Sequence, residues 1–127
     1  MKDIEGINQK EHFIDLFREI DLFYDNIKDN TDSAFEMLKI VENNKDQETI
    51  DVLRIVCSNI LDCETKVKEF IERYEMLKKK IFNKSEEETQ RFQENIIELH
   101  KNIKNLEKES SKQFKQFLKL MASIKVN

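Results

Sequence analysis

Apolar residues spaced alternately four and three apart recur from Phe13 almost to the end of this chain, and that spacing constrains its fold more than any other feature. In the first stretch Phe13, Phe17, Ile20, Tyr24, Ile27, Thr31, Ala34, Leu38 and Val41 fall on it, and only Thr31 is polar. A 4-3 seam keeps one line of a helix turned toward its neighbours, so such a helix packs lengthwise against others. The polar run from Lys28 to Ser33 has the composition of a loop, yet the register beyond it is unchanged. The spacing therefore predicts one unbroken helix of about thirty residues, roughly 45 Å long.

Two more seams follow. The second runs through Ile50, Leu53, Cys57, Ile60, Glu64, Val67, Ile71, Tyr74, Lys78 and Ile81, with Val56, Cys63, Phe70 and Leu77 in a flanking row. A face that wide needs two neighbours. The third runs through Phe92, Ile96, Leu99, Ile103, Leu106, Ser110, Gln113, Phe117, Leu120 and Ile124, with Phe114 and Met121 alongside. Asn8 with Glu11, and Ser85 with Glu88, have the capping-box spacing of helix starts, and Asp46 suits the cap of the second helix. Glu86 and Glu87 favour a helix N-terminus as well. Gly6 and the lack of periodicity before it predict a flexible tail over residues 1–8.

The expected fold is all-α: one domain over residues 9–126, with helices about 9–43, 47–82 and 86–125. Short loops make successive helices antiparallel, so the three run up, down and up as an elongated bundle. Each seam can be satisfied inside one chain. Thr31, Glu64 and Ser110 lie near the helix midpoints, where folding back brings them to one level as a polar layer. Alternatively, Glu64 turns to the rim and Cys63 takes its place.

Composition excludes several classes of function. The 127 residues contain no proline and one glycine, so the turns of sheets and phosphate-binding loops are missing. Charged residues make up 38% of the chain with both signs interleaved and a net charge of −4, which argues against a nucleic-acid partner. The chain shows neither a membrane-spanning run nor the apolar core of a signal peptide, and is expected to be soluble and cytosolic. Cys57 and Cys63, six apart on one helix, are about 9 Å apart at Cα, too far to bridge, and read as small core residues. His12 and His100 complete neither a metal cluster nor a nucleophile motif, so no metal, cofactor or catalytic residue is expected. Ile55, Leu61, Ile97, Leu118 and Met121 are left over outside the seams, either as ordinary rim residues or as the lining of a groove for a fourth, amphipathic helix.

The order of features resembles the N-terminal Habc domain of syntaxins, the regulatory region of Qa-SNARE proteins. The resemblance is carried by the phenylalanine-led series Phe13, Phe17, Ile20, Tyr24 and Ile27 followed by Asn30-Thr31, and by Leu53, Ile60, Val67 and Ile71 in the second helix. In the third it is carried by Arg91, Gln93, Leu99, Ile103 and Gln113-Phe114-Lys115. It covers roughly Asn8 to Ile124. The resemblance implies a non-enzymatic regulatory module of a t-SNARE acting in vesicle docking and membrane fusion. Such a module binds its own SNARE-motif helix and SM-family proteins, and it belongs to a longer protein held at the cytoplasmic face of a membrane by a C-terminal anchor absent from this chain. The SNARE helix is then expected between the second and third helices, in a groove lined by Leu61, Ile97, Phe114, Leu118 and Met121. Two other classes share the periodicity: a small helical secretion or flagellar export chaperone, and a subunit of a coiled-coil assembly.

Overall fold

The structure is a computed structural model that describes the backbone of residues 2–80 and 86–124 and the side chains of residues 13–80 and 90–124. It consists of three helices, α1 (Lys2–Val41), α2 (Gln47–Lys79) and α3 (Glu86–Ser123), all packed against one another. At 1.5 Å per residue they are roughly 60, 50 and 57 Å long. Partners on α1 and α3 keep a nearly constant offset, Phe13 meeting Phe92, Glu19 meeting His100 and Asn30 meeting Ser110, so these two helices are parallel. Between α2 and α3 the order reverses. Asn59 bonds Gln113, whereas Phe70 to Lys80, later in α2, share a cleft with Asn95 to Asn102, earlier in α3. The chain is an all-α, up-down-up three-helix bundle.

The seams are buried as their spacing requires. Thr31 stays in an unbroken α1, with its hydroxyl donating to the Ile27 carbonyl at 3.0 Å. Helix boundaries differ from expectation at both ends. The helix runs through Gly6 from Lys2, so residues 2–8 are not a tail and the Asn8 capping pattern starts nothing. One glycine costs about 1 kcal/mol in a helix interior, which a helix of this length absorbs when no proline enforces a stop. α1 stops at Val41 rather than Asn43, where the Asn44 N–H turns back to the Val41 carbonyl at 2.8 Å. α2 stops at Lys79, and Lys80 closes its last turn by donating to Leu77, so the expected end at residue 82 is three residues too far. At the end of α3, Ile124 likewise donates to Met121. Such tightened turns satisfy carbonyls that lack an intrahelical partner. The proposed start signal at Ser85 and Glu88 lies outside the described side chains.

The Asp46 cap forms as expected: its carboxylate accepts from the Thr49 N–H at 3.2 Å and from the Thr49 hydroxyl at 2.7 Å. Those two bonds hold its pKa below the ordinary aspartate value. Asn44 secures the connection on the other side, accepting from the Asp46 N–H and from the Gln47 side chain.

The core falls into two clusters. One end packs Phe13, Ile20, Ile27, Val67, Tyr74, Phe92, Ile96, Leu99 and Ile103; the other packs Ala34, Val41, Ile50, Leu53, Val56, Cys57, Ile60, Phe117 and Ile124. Between them sit buried Thr31, Cys63 and Ser110. Glu64 is only half-buried, so Cys63 takes the α2 place in the polar layer. Ser110 accepts from the Asn30 amide at 3.1 Å, and Ser111 beside it donates to Glu107. Among the described residues every buried side-chain nitrogen or oxygen has a partner, as an interior polar layer requires to be tolerated.

Candidate helix-binding cleft

The row Val56, Cys63, Phe70, Leu77 runs along the α3-facing flank of α2, and its last two members carry the candidate site. Opposite them α3 presents Asn95, Glu98 and Asn102, short polar side chains that leave the row partly uncovered. The result is an open cleft of about 340 Å³ between α2 and α3, at the aromatic end of the bundle. Phe70, Leu77 and buried Leu99 form its apolar wall. Met76, 59% exposed, stands at its edge. An unbranched thioether there adapts to varied partners.

The rims differ in charge. Arg73 and Lys80 line the α2 side, and Glu98 lines the α3 side. None of the three is in an ion pair among the described residues, while neighbouring Lys78 is engaged by Glu75 at 3.4 Å. An apolar floor between a cationic rim and an anionic one suits an amphipathic helix whose flanks carry the opposite charges.

The residues expected to line this groove are not gathered in it. Ile97 and Leu118 lie on the same flank of α3 as Ser111, at seven-residue spacings from it, and Ser111 meets Asn30 of α1. They are 21 residues apart on that helix, roughly 31 Å. Phe114 and Met121 are half-buried against the aliphatic end of the core, with Phe114 stacked on Phe117 at 6.5 Å. Leu61 is two residues past Asn59, which faces α3, and is thus about 200° round the helix and away from α3. The expectation failed because a 4-3 seam marks which side of a helix is buried but not which flank meets which neighbour. Phe70 and Leu77 were legible as a widened face. Met76, Arg73, Asn95, Glu98 and Asn102 carried no signal in periodicity.

The other reactive groups among the described side chains are buried or paired. Burial pushes the Cys57 thiol up to about 11. The Cys63 thiol is also raised, by burial first and then by the nearby Glu109 charge. His100, wedged between α1 and α3, pairs with Glu19 and lies against the Phe23 ring at 5.6 Å. Tyr74 donates to the Phe17 carbonyl at 3.2 Å, and burial raises its pKa. Among the described residues no helix is long and apolar enough to cross a membrane, and no three His, Cys, Asp or Glu groups are placed to hold a metal ion. Comparison with protein-family models, with curated proteins and with solved structures finds no match to this chain.

Proposed function

We propose that this bundle is a regulatory binding module of the syntaxin type, which captures an amphipathic SNARE-motif helix of its own full-length protein in the α2–α3 cleft. The observation that carries the reading is the uncovered Phe70–Met76–Leu77 surface, flanked by Arg73 and Lys80 on one side and Glu98 on the other. The occupant's apolar stripe covers that surface, with acids toward Arg73 and Lys80 and a base toward Glu98. Capture withholds the helix from partner SNAREs, so the module acts by shifting a population between closed and open states rather than by chemistry. On this reading the protein works at the cytoplasmic face of a membrane through an anchor outside this chain, and an SM-family protein reads the closed surface.

Titrating a Qa-type SNARE helix peptide into the isotope-labelled domain tests the proposal. Amide shifts are expected at residues 70–80 and 95–102, and Met76→Glu is expected to weaken binding about tenfold or more while leaving the helical spectrum intact. Shifts confined to α1, or none at millimolar peptide, overturn it.

A further inference from the structure

The outward faces of α1 and α3 are charged in opposite senses. On α3, Lys101, Lys104, Lys108, Lys112, Lys115 and Lys119 are all exposed and follow one another at spacings of three and four. They form one line directly opposite the buried seam, roughly 27 Å long. No acid lies on that line. Glu107 turns aside to accept from Ser111, and Glu109 turns to accept from Gln113 on the α2 flank. None of the six lysines is in an ion pair among the described residues.

On α1 the outward line reads Leu22, Asp25, Asp29, Asp32, Glu36 and Ile40, again at spacings of three and four and again exposed throughout. Among the described residues only Asp25 of this line has an ion-pair partner, Lys28 on its own helix. Aliphatic residues bracket both lines. Leu22 and Ile40 stand at the two ends of the acidic one, Ile40 being 82% exposed, and Ile97 and Leu118 flank the ends of the basic one. With their aliphatic ends included, the acidic line spans about 27 Å from Leu22 to Ile40 and the basic one about 31 Å from Ile97 to Leu118.

From this match we infer that the α3 lysine face docks on the α1 acidic face of a second copy of this chain. The partner is chosen by complementarity on the molecule itself: a line of opposite sign, similar overall length and the same aliphatic ends. A lipid surface or a nucleic acid would account for the lysines and leave the α1 line without a role. The contact is heterologous, since one face of each copy meets the other face of the next, so association grows side by side, into a ring where the rotation closes and an open chain where it does not. Neither face belongs to the α2–α3 cleft, and self-association stands apart from helix capture.

Sedimentation of the intact chain at low and high salt tests the inference. At about 10 mM salt, where charges act over roughly 30 Å, the mean mass should rise with concentration; at about 1 M, where they act over roughly 3 Å, it should return to the 15.3 kDa monomer. A variant carrying Lys104→Gln, Lys108→Gln, Lys112→Gln and Lys115→Gln should remain monomeric at low salt. So should one carrying Asp29→Asn, Asp32→Asn and Glu36→Gln. Mixed, the two variants retain one complementary pair of faces and should give a capped one-to-one dimer. A wild-type monomer at millimolar concentration and low salt overturns the inference, as does a mixture that stays monomeric. Binding of the monomer to phosphatidylserine vesicles, abolished by the lysine substitutions and without self-association, assigns the line to anionic lipid and overturns it too.

Discussion

The two ends of the core are built from different side chains. The end that contains Phe13 holds rings edge to face, Phe13 against Phe92 at 5.3 Å and Phe17 against Tyr74 at 5.4 Å, with Phe23, Tyr24 and Phe70 packed around them. The other end has Ala34, Val56 and Cys57 among its buried residues and draws its bulk from Phe35, Phe114 and Phe117. Large side chains space helix axes more widely than small ones do. The comparison teaches why the α2–α3 cleft opens where it does: Phe70, Leu77 and Leu99 belong to the aromatic end, and nothing on α3 is large enough to roof them.

The comparison is broken most severely by removing one ring from each end. Phe92→Ala and Phe117→Ala should each cost about 3–5 kcal/mol in urea unfolding. Each also loses a ring partner worth about 0.5–1.5 kcal/mol beyond burial, and Phe92 should cost more because Phe13 lies edge-on to it at 5.3 Å whereas Phe114 stacks on Phe117 at 6.5 Å. Equal losses would mean that the closer edge-to-face contact adds nothing beyond the stacked one. Aliphatic truncation sets the baseline, because Ile20 and Ile60 are both fully buried, one at each end. Each should lose about 2–5 kcal/mol on substitution by alanine, and half-buried Leu106 should lose less. A markedly smaller loss at Ile60 would show that the aliphatic end collapses around its own cavities.

The boundary between the ends is probed by a double-mutant cycle on Asn30→Ala and Ser110→Ala. Their 3.1 Å bond predicts a coupling of about 0.5–1.5 kcal/mol, and no coupling would show that the layer separates the ends without joining α1 to α3. The thiols give an effect that depends on pH. Burial raises the folded pKa of Cys57 from 9.0 to about 11, so its contribution to stability is complete below pH 9 and is lost as pH rises toward 11. Comparing wild type with Cys57→Ala across that range should reveal a steeper alkaline decline in the wild type. Parallel curves would mean that the thiol is as solvated in the folded chain as in the unfolded one.

Much of this architecture was legible in the residues. The 4-3 spacing placed Ile27, Thr31 and Ala34 on one buried line across a polar run, and helical burial follows from period alone. Asp46 could be read as a cap because its carboxylate reaches Thr49 locally. Gly6 misled because its cost is small beside what a long helix gains elsewhere. The cleft was half legible. Phe70 and Leu77 announced an excess of apolar surface on α2, but the side of α3 brought against them depends on an arrangement in space that no spacing along one helix encodes.

That arrangement has a handedness. The third helix of an up-down-up bundle can close on either side of the plane through the first two, and the same seams are buried in both mirror forms. The contacts that differ are on the flanks: Glu19, Phe23 and Asn30 of α1 meet His100, Ser110 and Ser111, while Phe17 on the other flank meets Tyr74 of α2. In the mirror form His100 and the two serines would face the Phe17 flank, and Asn30 would look toward α2. These flank contacts, of which only Ser110 and Tyr74 are fully buried, add less to stability than the seams do, yet they distinguish one handedness from the other. Stripped of them, the chain would still be helical with its seams buried, but divided between two bundles that differ only in chirality.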